Sequence, residues 1–198
     1  MIVKVCGMRD AVNIREVEAL GIDLMGFIFW PKSSRFVVKR PDYLPIRCKR
    51  VGVFVDEDTE RVCHIAEDYM LDYIQLHGHE RPEYCSSLQG RHIIKAFNIS
   101  TADDLAQTLP YEGLVDYFLF DTKGKSVGGN GEKFDWRVLD HYDGSTPFIL
   151  SGGIGPEDRV SIENFHHPRC VGIDLNSRFE NAPGKKDIKK LKTFIESL

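Results

Sequence analysis

No part of this sequence supplies a disulfide framework or a cysteine-based zinc site. Its five cysteines, Cys6, Cys48, Cys63, Cys85 and Cys170, are odd in number, scattered and never spaced as C-x-x-C, so all are expected as free thiols. Long apolar runs are missing too. None reaches the roughly 20 residues of a membrane span, and the start of the chain lacks the charged-then-apolar layout of a signal peptide. A cytoplasmic protein with no membrane partner is expected. Positive charge is not in excess: 26 Lys and Arg stand against 30 Asp and Glu, a formal net charge of −4, which argues against a general nucleic-acid binder. The one basic cluster, residues 185–192, reads as a solvated helix face. No pattern calls for a metal or a cofactor, and no sequence repeat is visible.

What is present is an alternation of short β-rich runs and amphipathic segments. Residues 2–5 form an apolar strand that delivers Cys6 into a glycine turn. Asp10 then caps a helix running to residue 20. Strands are expected at 24–30, 49–56, 72–76, 92–97, 117–120, 148–150 and 170–175. Helices are expected at 58–70, 82–88 and 101–109, from about 135, from Pro156 and at 187–198. The segment after the second strand carries Pro41 and Pro45, so the second helix should be shortened. Eight strand-then-helix units in one α/β domain of 198 residues point to a single (β/α)8 TIM barrel spanning 1–198. An open flavodoxin-like sheet would need only about five units.

In such a barrel, chemistry collects where the strands end. Cys6 follows strand 1, Arg35 lies in the loop after strand 2, His77 follows strand 4 and Asp121 follows strand 6. Ser151-Gly152-Gly153 follows strand 7, and Asp174, Asn176 and Ser177 close strand 8. Glycines before a helix start expose backbone N–H groups that suit a phosphate. Cys6 is either core filler or a nucleophile or base, and His77 either lines the site or holds a structural hydrogen bond. Lys4 points below Cys6, where Asp174 also points, so the two read as a buried supporting pair.

These residues carry a family resemblance. Lys4-Val5-Cys6-Gly7-Met8 resembles the opening of phosphoribosylanthranilate isomerases. Pro31-Lys32-Ser33-Ser34-Arg35, Gln75-Leu76-His77-Gly78, Asp121-Thr122, Leu150-Ser151-Gly152-Gly153 and Gly172-Ile173-Asp174-Leu175-Asn176-Ser177 continue the likeness along the chain. The resemblance implies an Amadori rearrangement of a phosphorylated sugar adduct in tryptophan biosynthesis. By the same resemblance Cys6 is the base, Asp121 the acid and Arg35 the holder of the anthranilate carboxylate. Nearby cations would favour a Cys6 thiolate, while desolvation would keep Asp121 protonated. Gly128, Gly129 and Gly131 read as loop hinges or as plain loop flexibility.

Small phosphorylated substrates are the expected partners, with a monomer or homodimer as the working form. The chain departs from the family where Ser177 is followed by Arg178-Phe179-Glu180 instead of glycine. Arg178 either meets phosphate or turns to solvent. Another sugar-phosphate barrel enzyme, or a degenerate non-catalytic barrel, are the competing readings.

Overall fold

The strands form from runs in which β-branched and aromatic residues dominate, as in Val51-Gly52-Val53-Phe54 and Tyr117-Phe118-Leu119-Phe120. A computed structural model of the protein describes residues 1–88, 90–122 and 136–198. Eight strands, β1 (Ile2–Val5), β2 (Leu24–Ile28), β3 (Lys49–Phe54), β4 (Tyr73–Leu76), β5 (His92–Ile99), β6 (Tyr117–Thr122), β7 (Phe148–Ser151) and β8 (Cys170–Leu175), pair in sequence order. All are parallel, and β8 returns to β1 to close the barrel.

The helices start where their caps dictate. Asp10, Asp58 and Asp187 each accept a hydrogen bond from a first-turn backbone N–H, opening α1 (Ala11–Glu18), α2 (Thr59–Asp68) and α5 (Ile188–Ile195). α3 (Pro82–Ser87) begins at a proline, and α4 (Arg159–Glu163) continues a short 3₁₀ turn over Pro156–Asp158. The expected helices at 101–109 and from about 135 are 3₁₀ segments instead, Ala102–Tyr111 and Trp136–His141.

The shortening expected after β2 is complete. No helix connects β2 to β3. In its place, Val37 N–H bonds back to Ile28, and the Glu18 carboxylate accepts hydrogen bonds from Tyr43 Oη and the backbone N–H groups of Ile46 and Arg47. One buried carboxylate thus satisfies backbone that a helix would have satisfied internally. A second departure lies past β8, where β9 (Glu180–Ala182) and β10 (Lys185–Lys186) form an antiparallel hairpin absent from the sequence reading.

Two apolar cores follow from strand alternation. Outward residues pack against the helices, including a ring cluster of Phe97, Phe118, Phe120, Tyr142 and Phe148. Burial of each such phenylalanine stabilises the fold by about 1.5–3 kcal/mol. Inward residues Leu24, Val51, Ile94, Ala96, Leu119 and Ile149 fill the lower barrel. Further along the same inward face β5, β6 and β7 carry Asn98, Asp121 and Ser151, while β2 keeps Ile28 and β3 and its continuation keep Val53 and Val55, so the upper barrel opens as a cavity with a polar side and an apolar side.

Candidate active site

That cavity, about 500 Å³, lies at the carboxyl ends of the strands, and its wall includes Cys6, Arg35, Gln75, His77, Asp121, Gly152, Gly153, Asp174, Asn176 and Ser177. Every rim residue singled out from the sequence therefore faces one space, and Lys4 lies buried beneath it. A larger depression of about 750 Å³ at the amino ends of β1–β4 is lined by Asp23, Lys49, Arg50 and Asp72. Its charged groups are tied to backbone or to each other, as with Lys49 Nζ 2.7 Å from Asp72 Oδ1, so we place the chemistry in the smaller cavity.

Cys6 is only 4 % exposed. Its thiol fits because residue 26 on β2 is glycine: a Cβ there would lie 2.6 Å from Cys6 Sγ. Burial pushes the thiol above its ordinary value; Lys4 and Lys186 pull the other way, and Asp174 adds to the rise. The expected cations are present but are outweighed by desolvation. Lys4 Nζ donates to Asp174 Oδ1 at 2.9 Å. Burial works against the Lys4 ammonium, yet Asp174 and Cys6 hold its pKa above the ordinary value. Ser151 Oγ lies 3.3 Å from the second Asp174 oxygen.

Across the rim, His77 Nε2 stands 3.6 Å from Asp121 Oδ2, within ion-pair range but too long for a direct hydrogen bond. Gln75 Nε2 lies 2.8 Å from His77 Nδ1. With the amide donating, the neutral imidazole carries its proton on Nε2, on the Asp121 side. Among the described residues Gln75 Oε1 has no hydrogen-bond partner although it is buried. Sequence reasoning passed over Gln75, yet strand parity pointed to it, since residues two apart on a strand share a face.

Arg35 does not present a free guanidinium. Its Nε donates to Glu180 Oε1 and Oε2 at 2.9 and 3.0 Å, and Nη2 donates to Oε2 at 2.6 Å. Glu180 also accepts from Lys186 Nζ at 2.6 Å and from Gly184 N–H at 3.1 Å. Burial alone would raise the Glu180 carboxyl, but hydrogen bonds from Arg35 and Lys186 hold it below the usual carboxylate range. The basic cluster at 185–192 is expected to be a solvated face, yet the Lys186 side chain is fully buried beside the site.

Gly152 and Gly153 turn the chain after β7 with φ of 101° and 68°, a conformation other residues rarely adopt. Beside them, Ser177 opens a 3₁₀ turn over Ser177–Phe179, whose first N–H groups lack partners within the turn. The two loops offer backbone donors for an anion. Arg178 is outside this group: its side chain is 56 % exposed and pairs with Glu157. The glycines at 128, 129 and 131 lie outside the described residues.

Comparison with known proteins agrees along the whole chain. Residues 3–197 match the family model for N-(5'-phosphoribosyl)anthranilate (PRA) isomerase. The N-(5'-phosphoribosyl)anthranilate isomerase of Parabacteroides distasonis is 54% identical, covering 100% of this chain and 93% of that one. The crystal structure of phosphoribosyl anthranilate isomerase from Thermotoga maritima superposes with a TM-score of 0.83 at 34% identity, over 100% of this chain and 98% of that one. A further isomerase structure, in complex with reduced 1-(o-carboxyphenylamino)-1-deoxyribulose 5-phosphate, gives a TM-score of 0.82 at 32% identity with the same coverage.

Proposed function

The chain belongs to the N-(5'-phosphoribosyl)anthranilate isomerase family, and from that premise we propose how its own residues carry out the reaction. It is an isomerase of tryptophan biosynthesis that converts N-(5'-phosphoribosyl)anthranilate to 1-(o-carboxyphenylamino)-1-deoxyribulose 5-phosphate. The observation that carries the assignment of roles is that Cys6, Asp121 and Arg35 line one cavity, on strand ends β1 and β6 and the loop after β2.

The substrate is a small phosphorylated molecule. Its phosphate sits on the backbone donors of Gly152, Gly153 and Ser177, with Asn176 beside them, and Arg35 meets its carboxylate. Asp121 gives a proton to the ribose ring oxygen; the C–O bond breaks and a Schiff base forms. Cys6 then takes the proton from sugar C2, and the resulting enolamine tautomerises to the ketone. No atom is gained or lost. The turnover leaves Asp121 as the carboxylate and Cys6 as the thiol, and exchange that returns a proton to Asp121 and removes one from Cys6 resets both, so a single acid and a single base suffice. His77, with its Nε2 proton on the Asp121 side, steadies the carboxylate left after the first transfer. Lys4, held by Asp174, offers a positive charge to the thiolate. The five free cysteines accord with a reducing compartment, and we place the enzyme in the cytoplasm. Among the described residues no helix is long and apolar enough to cross a membrane.

A turnover assay with freshly generated N-(5'-phosphoribosyl)anthranilate tests the reading. Conversion to the aminoketose phosphate by the wild type, slowed by about 10²–10⁴ on mutation of either Cys6 or Asp121, is expected. Near-normal conversion in either single variant would assign that proton transfer elsewhere.

A further inference from the structure

The hairpin past β8 is tied to the loops after β1 and β2 by polar contacts that the reaction steps do not use. Arg9 Nη1 donates to Ser34 O at 3.1 Å and Nη2 to Pro183 O at 2.8 Å. Asn13 brackets Lys186, accepting from its N–H at 2.7 Å and donating to its carbonyl at 3.0 Å. Lys186 Nζ donates to Asn176 Oδ1 at 2.8 Å as well as to Glu180. The Arg35 stem lies against Gly7, where a Cβ would come within 2.7 Å of Arg35 Cδ. Two of the residues held in this way, Arg35 and Lys186, share one group, the Glu180 carboxylate, which is 5 % exposed.

The geometry at Arg35 is asymmetric. A guanidinium has five N–H donors, one on Nε and two on each Nη, arranged along two usable edges. Glu180 takes the edge formed by Nε and Nη2. The edge formed by Nη1 and the second Nη2 proton is left for a ligand, and Arg35 is part of the cavity wall. Charge points the same way: Arg35, Lys186 and Glu180 sum to one positive charge, which a single ligand carboxylate would neutralise.

We propose that Glu180 is a positioning residue for carboxylate recognition: by engaging one edge of Arg35 it turns the opposite edge toward the ortho-carboxylate of the substrate, and so sets specificity for a carboxylated aromatic ring. The inference rests on the reading of Arg35 as the carboxylate holder. Glu180 does no proton transfer, because all its charge is already committed to Arg35 and Lys186. No helix follows β2 to stiffen the Arg35 loop, so the constraint has to come from across the barrel seam.

The test measures the affinity of wild type, Glu180→Gln, Glu180→Asp and Arg35→Ala for two ligands by calorimetry. One is reduced 1-(o-carboxyphenylamino)-1-deoxyribulose 5-phosphate, and the other is its phenylamino counterpart without the carboxylate. Arg35→Ala should erase the preference for the carboxylated ligand. Glu180→Gln should weaken that ligand by roughly fivefold or more while leaving the other within about twofold, with KM raised and kcat nearly kept. Glu180→Asp, which retains the charge on a shorter arm, should recover part of the preference. If Glu180→Gln fails to fold, as judged by thermal melting, the Asp variant carries the test, with a smaller loss in the same direction expected. Equal loss for both ligands, or loss for neither, in a folded variant overturns the proposal while leaving Arg35 in its role. Retention of the preference in Arg35→Ala overturns both.

Discussion

The two ends of the barrel differ in how far their polar groups are engaged. At the amino end, an aspartate stands immediately before each of three alternate strands, β2, β4 and β6. Asp23 accepts from Val3 N–H at 2.7 Å, Asp72 from Arg50 N–H at 2.9 Å, and Asp116 from Ile93 N–H at 2.7 Å. In each case the carboxylate stitches its own strand to the preceding one. Lys49 and His92 occupy the other oxygens of Asp72 and Asp116. At the carboxyl end Asp174 and Glu180 are engaged as fully, but beside them groups are left with capacity to spare: a buried thiol, an amide oxygen without a partner among the described residues, and an Asp121 that meets His77 at 3.6 Å. Saturated carboxylates hold the strands in place, and unsaturated groups at the other end are available to a substrate.

Mutations should separate the two ends. The largest effect is expected from Cys6→Ser, which should lower kcat by about 10²–10⁴ with the thermal midpoint nearly unchanged, because a hydroxyl is a far weaker base in the same space. Near-normal turnover would move the base elsewhere. Asp121→Asn should follow, with kcat strongly reduced and KM little changed; a raised KM with kcat intact would make Asp121 a binding contact. The amino end should behave in reverse. Asp116→Ala leaves the Ile93 N–H without its acceptor and should cost about 1–3 kcal/mol of stability, read from denaturant unfolding, with kcat unaffected. A loss of activity without a loss of stability there would break the comparison.

The smallest effect should come from Arg178→Ala. An exposed pair such as Arg178 with Glu157 contributes about 0–1 kcal/mol, and the side chain is not part of the cavity wall. Titration with inorganic phosphate should give nearly equal affinities for variant and wild type. A tenfold loss would bring Arg178 into the phosphate site.

Much of this division was legible in the sequence. Period-2 apolar runs fixed the strands to within a few residues, and the parity of Lys4 and Cys6, with Asp174 opposite, placed those three side chains inside the barrel. Two things were not legible. Lys186 sits in a run of lysines that reads as solvent-facing, and nothing local shows that the chain reverses at Pro183-Gly184 and drives one of them inward. Its side-chain partners Asn176 and Glu180 are near in sequence, but what fixes the pocket around them, Asn13 on the Lys186 backbone and Arg35 on Glu180, is more than 140 residues away. Likewise Pro41 and Pro45 announced a weak helix, but that Glu18 would replace it altogether depends on contacts 25–29 residues distant.

The account turns on Cys6 as a buried base, and its pH dependence tests that most directly. Since burial holds the thiol above its ordinary value, the thiolate fraction falls as pH falls, by about tenfold per unit below the pKa. The measurement is kcat/KM against pH beside the alkylation rate of Cys6, followed residue by residue with mass spectrometry so that the other four thiols do not interfere. The two profiles should climb together from neutral into alkaline pH. A kcat/KM that stays flat while alkylation of Cys6 climbs would contradict the assignment.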